Sequence, residues 1–197
     1  MSTPTPGPLV PLLATAFAAR ADLLNRLHAE RTDACRLFHG TVEGRPGLTV
    51  DRYGDLLLAQ SFHQPLAPDD LAALEGYYLG VSPGLTLVYN DRSGAHSRIL
   101  NPLPPERMAA AMLPRVAHEM GVGYRIQARH DGQDPWLFLD LRAGRRYVMS
   151  HVRDKSLLNL FAYTCGVGIA AASAGARFVM NVDFAESSLA VGRDNAR

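Results

Sequence analysis

LNLFAYTCGVGIAA (Leu158–Ala171) and NVDFA (Asn181–Ala185) decide the fold of this 197-residue chain. Ser156–Leu160 reads as a buried strand, Gly166–Ala174 as a helix, Arg177–Val182 as a second strand and Glu186–Ala196 as a second helix. That order predicts a parallel sheet with a right-handed crossover, hence an α/β fold. In such folds ligands bind at the carboxyl ends of the strands. A helix starting near Gly166 turns unpaired amides and its positive dipole end towards that crevice. Gly166 and Gly168 let the backbone come close to a ligand with no Cβ in the way. Asp183, at the tip of the second strand, can accept two hydrogen bonds from a ribose diol. Loop and acid together predict an adenosine-containing cofactor.

Two cofactors fit these residues. Gly166, Gly168 and Ala171 match the G-x-G-x-x-G/A pattern of nicotinamide and flavin sites. In dinucleotide folds, however, the first glycine follows the strand almost directly, whereas here Phe161–Cys165 intervene. A longer loop suits the amino-acid tail of S-adenosylmethionine better than a pyrophosphate, and it carries Asn159, Tyr163 and Thr164 as polar groups near the sulfonium end. Structural roles compete at several positions. Gly175 reads as a helix C-cap, Phe161 and Tyr163 as aromatics that fix the loop, and Asn159 as a cap on loop amides. Asp183 has few structural reasons to stand where it does.

Composition narrows the class. Hydrophobic residues make up 47% and the formal net charge is +1, so the chain can bury a core and has no bulk electrostatic bias towards nucleic acid or membrane. Lys155 is the only lysine, so arginine supplies the other basic side chains. A coding bias towards Ala and Arg explains this better than phosphate binding does. Cys35 and Cys165, the only cysteines, form neither a zinc site nor a disulfide framework, which points to no metal and to a reducing cytoplasm. The apolar stretch Leu9–Ala19 is short, contains Pro11 and follows no basic residue, so neither a signal peptide nor a membrane span is expected.

Upstream, Pro/Gly/Thr-rich residues 1–8 read as loose. The spacing of Leu13, Phe17, Leu24 and Leu27 predicts one amphipathic helix to about Glu30. Leu48–Tyr53 and Leu56–Phe62 flank Gly54-Asp55 and predict a hairpin. Asp69 is placed to cap a helix through Tyr78, and Leu85–Tyr89 reads as a strand before the turn Asn90–Gly94. Asn101–Pro105 is a proline-rich connector, and Glu106–Val116 a helix that Pro114 would end. A second hairpin is expected from Tyr124–Ala128 and Trp136–Asp140 around His130–Pro135, then a helix over Gly144–Val152. Residues 1–115 thus form an N-terminal α+β region, with 116–197 the first part of the nucleotide-type domain.

Four segments carry a family resemblance over about residues 36–197. RLFHG with PGLTVDRYGDLLLAQ is similar to a hairpin segment, HEMGVGYRI to a Glu-x-Gly-x-x-aromatic strand, and LFLDLRAGRRYV to a Phe-Leu-Asp-x-Arg-x-x-Arg motif. LNLFAYTCGVGIAAASAGA with NVDFAESSL is similar to a methyl-donor loop and its acidic strand. The chain resembles the class I S-adenosylmethionine-dependent methyltransferases typified by the bacterial 23S ribosomal RNA cytosine-C5 and guanine-N7 enzymes. The resemblance implies a Rossmann-like domain, S-adenosyl-L-methionine as cofactor and an RNA substrate. It implies that Asn159, Phe161, Tyr163, Thr164, Gly166 and Gly168 line the donor site, that Asp183 binds ribose and that Phe184 packs on adenine. Asp140 and Arg142 would stand close to the cleft, an ion pair between hairpin and helix being the alternative role. Many relatives begin with a PUA-type RNA-binding domain, where this chain has one predicted helix. The family's acceptor motif and its cysteine nucleophile would lie beyond Arg197, so the chain is expected to be C-terminally truncated and inactive alone, with catalytic residues unassigned. Two other functions remain open at this point. One is an NAD(P)-binding oxidoreductase domain. The other is a non-catalytic RNA-binding module using His39, Arg45, Arg52, Arg92 and Arg98, although solvated surface arginines account for these better, since no RNP-type aromatic platform is visible.

Overall fold

The computed structural model describes residues 8–94, 105–129 and 134–197. The expectations for residues 1–7, for most of the 101–105 connector, for Arg98 and for the 130–133 turn lie outside these. Two compact units emerge, one comprising residues to His28 with Cys35–Ala111, the other Ala29–Ala34 with Met112–Arg197.

The first unit holds a four-stranded sheet in the order β1 (Ala34–His39), β2 (Leu48–Tyr53), β3 (Leu56–Ser61), β4 (Thr86–Asp91). β2 and β3 form the expected antiparallel hairpin, with Tyr53 opposite Leu56 and Gly54 at positive φ. β3 and β4 are parallel, Leu58 opposite Val88, joined through helix α3 (Pro68–Val81). That parallel pair was not expected. Pro68 occupies the first turn of α3 and Ala67 the cap position, so Asp69 lies inside the helix, where its charge complements the dipole.

The single N-terminal helix expected from periodicity is two helices, α1 (Leu9–Ala19) and α2 (Ala21–Ala29). Arg20 makes the break: its guanidinium donates back to the Ala16 carbonyl at 2.9 Å and to Glu43 at 2.6 Å. Pro11 is tolerated because it falls in the first turn, where no intrahelical donor is lost. Leu9, Leu13 and Ala16 of α1 and Leu74 and Tyr78 of α3 meet Leu37, Val50, Leu57 and Ala59 of the sheet in one core. Among the described residues no helix is long and apolar enough to cross a membrane.

Several phosphate-contact candidates of this unit are already engaged. Arg45 pairs with Asp70, Arg52 donates to the Gly54 carbonyl and Arg92 lies over the Phe62 ring. After helix α4 (Pro105–Met112), shorter than expected, the chain enters the second unit.

There, β5 (Arg115–Glu119) pairs antiparallel with β6 (Val122–Ile126). The turn is Met120-Gly121, both at positive φ. This corrects the expected pairing of 124–128 with 136–140. Trp136–Phe138 is not a strand, and Leu139–Leu141 is a 3₁₀ turn leading into α5 (Arg142–His151). Segment 29–34 lies along β5: His118 N–H donates to Asp33 at 2.6 Å, and Met120 N–H to Thr32 at 2.8 Å.

The order of elements in the α/β half matches its prediction closely, but the first strand is not buried, because one of its faces has nothing packed over it among the described residues. β7 (Ser156–Leu160), α6 (Gly166–Ser173), β8 (Phe178–Val182) and α7 (Glu186–Asn195) follow in order. β7 and β8 are parallel, with Asn159 opposite Asn181 and Leu160 opposite Val182. Their inner residues face α6. On the other face Leu158, Leu160, Phe178, Met180 and Val182 are 45–59% exposed, an apolar surface with nothing packed over it among the described residues.

Candidate functional site

The loop from β7 to α6 is built by backbone conformation. Phe161, Tyr163 and Cys165 all have positive φ (54°, 50° and 62°), a region that L-residues enter reluctantly. The alternation folds residues 161–165 into a compact hook. Ala162 N–H donates to the Val182 carbonyl at 3.0 Å, and Cys165 N–H to the Ala162 carbonyl at 2.7 Å.

Asp183 locks this hook to the second strand. One carboxylate oxygen accepts Tyr163 N–H at 2.7 Å and the other accepts Ala185 N–H at 2.9 Å. The bonds from Ala185 and Tyr163 hold the carboxyl below the ordinary carboxylate range. Asp183 therefore has a structural task that sequence reasoning did not foresee. A carboxylate has about four lone-pair positions, so roughly two remain for a diol. The first bond of α6 runs from Ile169 N–H to the Cys165 carbonyl, at 2.8 Å. The amides of Gly166, Val167 and Gly168 come before it, at the positive end of the helix. Phe161 and Phe184, 85% and 94% exposed, flank the hook and the acid. Carboxylate, amides and a flat aromatic face stand within one short stretch, and they suit a ribose, an anionic tail and a heterocycle.

The other expected residues are placed differently. A methyl group built on Gly168 would lie 2.1 Å from Asn181 Oδ1, so the missing side chain makes room for Asn181. At Gly166 the nearest atoms, on Arg145, Leu137 and Tyr124, would be 4.0 Å away, an ordinary contact distance. Asn159 Nδ2 donates to Asn181 Oδ1 at 2.9 Å, tying the two strands. Thr164 is buried, its hydroxyl donating to the Trp136 carbonyl, while the Tyr163 hydroxyl donates to the Asp134 carbonyl at 3.3 Å. Arg142 does not pair with Asp140. It donates to Glu119 at 2.9 Å and to the Ala34 carbonyl, and Asp140 is exposed.

Three features were not foreseen. Glu119, fully buried, is held by both Arg142 and Arg145, the latter bidentate at 2.6 and 2.9 Å. Gly192 of α7 presses on the hook, since a methyl group there would meet Cys165 Sγ at 2.4 Å. Burial raises the Cys165 thiol pKa, and Asp183 adds to the effect. The third is the run Asp134–Phe138 above the hook. Among the described residues no group of three or more His, Cys, Asp or Glu side chains could hold a metal ion.

Known proteins share this architecture. A family model described as S-adenosylmethionine-dependent methyltransferase matches residues 35–197. The ribosomal RNA large subunit methyltransferase I of Klebsiella pneumoniae subsp. pneumoniae is 31% identical over 173 residues, which cover 83% of this chain and 41% of that protein. Its namesake in Shewanella denitrificans is 30% identical over 184 residues, 91% of this chain and 45% of that one. The chain thus spans less than half the length of these curated relatives. Among solved structures, a protein assigned as a methyltransferase and complexed with SAH superposes with a TM-score of 0.73 at 25% identity, over 94% of this chain and 46% of that one. A protein from Streptococcus mutans assigned as a SAM-dependent methyltransferase gives 0.72 at 25% identity, over 94% and 47%.

Proposed function

The chain belongs to the S-adenosylmethionine-dependent methyltransferases, and from that premise we propose that it carries the methyl-donor half of an enzyme that modifies ribosomal RNA. The family sets aside the nicotinamide reading of Gly166-x-Gly168-x-x-Ala171. The names of the relatives support RNA as the acceptor. Within that class the target would be a cytosine C5 or a guanine N7.

One observation carries the reading: a strand-tip carboxylate, oriented by two backbone amides, beside the open N-terminus of α6. In this proposal Asp183 accepts hydrogen bonds from the ribose diol. The amides of Gly166–Gly168 face the carboxylate of the amino-acid tail, and Phe184 offers its ring to adenine. Phe161 covers the opposite side. Tyr163 and Thr164 keep the hook in shape, Asn159 ties β7 to β8, and Arg142 acts through Glu119. Bound S-adenosylmethionine would supply an activated methyl group on a sulfonium. The chain's part is alignment and electrostatic complementarity.

The acceptor half would come from a further segment. Relatives more than twice as long support this, as does the apolar face of β7 and β8, which a helical layer would cover. Residues 1–115 are proposed as the substrate-side region and 116–197 as the donor region, working in the cytoplasm.

Calorimetry with S-adenosylhomocysteine tests the reading. Saturable binding is expected, weakened at least about tenfold in Asp183→Ala, because hydrogen bonds to a charged acceptor are lost. Equal affinity in both proteins would remove Asp183 from the site. Binding of NADH with no response to S-adenosylhomocysteine would overturn the proposal.

A further inference from the structure

The run Asp134–Phe138 has three alternating carbonyls, at residues 134, 136 and 138, and each is taken by a side chain. Tyr163 Oη donates to the first at 3.3 Å, Thr164 Oγ1 to the second, and Arg145 Nη2 to the third at 2.8 Å. Two of the three donors belong to the hook itself. The Phe138 ring also lies against the Tyr163 ring, centroids 5.1 Å apart. Trp136 is held at a φ of 69°, which an unsupported segment would not keep. The third donor, Arg145, is buried and cannot drift, because Glu119 grips its guanidinium at two points. From Glu119 to Arg145 to the Phe138 carbonyl there is an unbroken chain of short polar contacts, and it ends on the strap that backs the hook.

We propose that Asp134–Phe138 is a wall of the methyl-donor crevice, and that Glu119, acting through Arg145, is a positioning residue that sets where this wall stands. The inference rests on the donor-site reading above. Geometry makes the coupling two-way: whatever orders the hook tightens two of the strap's pins, and loosening the strap frees Tyr163 and Thr164 to move.

Trp136 is the only tryptophan of the chain and reports on the strap directly. Its emission should change as S-adenosylhomocysteine is added and saturate in step with the calorimetric titration. Thr164→Val removes one pin at nearly constant volume and should weaken binding about fivefold, the worth of one hydrogen bond. Arg145→Lys keeps the charge but loses the fork. It should raise acrylamide quenching of Trp136 in the free protein and weaken binding, while the circular dichroism spectrum stays that of a folded chain. If Arg145→Lys fails to fold, Thr164→Val and the Trp136 titration decide. Heat of binding with unchanged Trp136 emission would overturn the strap and leave the cofactor reading standing. Unchanged affinity in Thr164→Val would do the same. No heat in the wild type would remove both.

Discussion

Gly168→Ala is the most searching test of how the site is built. The new methyl group would lie 2.1 Å from Asn181 Oδ1 and 2.8 Å from its Cγ and Nδ2, far inside contact distance. The Asn181 side chain is tied to Asn159 at 2.9 Å, so it cannot swing away without losing that bond. Forced repacking costs about 1–3 kcal/mol, and the lost hydrogen bond about 1 kcal/mol. The gain in helix propensity from glycine to alanine offsets about 1 kcal/mol. A net loss of about 1–3 kcal/mol is expected in urea unfolding followed by circular dichroism. The same substitution made in Asn181→Ala should cost far less, because the obstructing amide is gone, and a double-mutant cycle reads this coupling. Gly166→Ala is the control: with its nearest neighbours at 4.0 Å it should leave stability within about 0.5 kcal/mol of wild type. Wild-type stability in Gly168→Ala would refute the packing argument, as would an equal penalty in both backgrounds.

Other outcomes follow from the same geometry. Asp183 has a folded pKa below its unfolded value, so its contribution to stability is full above the ordinary aspartate pKa and fades as pH falls through the folded one. The stability gap between wild type and Asp183→Asn, measured by urea unfolding, should therefore be constant from pH 6 to 8 and close in strong acid. Glu119→Ala strands two arginines, one of them buried, and should cost about 3–5 kcal/mol in thermal or urea unfolding; a loss under 1 kcal/mol would contradict the buried triad. Asp51, whose carboxyl is pushed up by burial and pulled back by a bidentate Arg36, should make Arg36→Met costly at neutral pH, with the cost shrinking in acid as the carboxyl is protonated. Leu158→Thr and Met180→Thr, on the open sheet face, should change stability by less than about 0.5 kcal/mol while reducing binding of a hydrophobic dye.

The parts of this fold that could be read from sequence are those specified locally. β7 has its predicted bounds, and α6, β8 and α7 fall within a residue of theirs, because glycines and an acid punctuate that stretch. The hairpin at Gly54-Asp55 was equally plain. What was hidden depends on partners distant in the chain. Met120-Gly121 carries no strong turn signal, and it holds its shape with help from Thr32. WLFLD reads as an apolar strand, yet the carbonyls of residues 134, 136 and 138 go to side chains at 163, 164 and 145. Arg20 stands at the end of α1 with its guanidinium shared between the Ala16 carbonyl and the distant Glu43. In the site, Asp183 and the helix start were legible as a pattern. That Gly168 serves Asn181, and that Arg142 serves Glu119, needed coordinates.

The left-handed residues of the hook also impose a rule on mutational tolerance. Branching at Cβ crowds a backbone of positive φ, and such positions alternate at 161, 163 and 165. A saturation library across these five codons, selected for folding, would lose valine, isoleucine and threonine at the odd positions and tolerate valine at 164. Threonine already stands at 164, the natural instance of that parity.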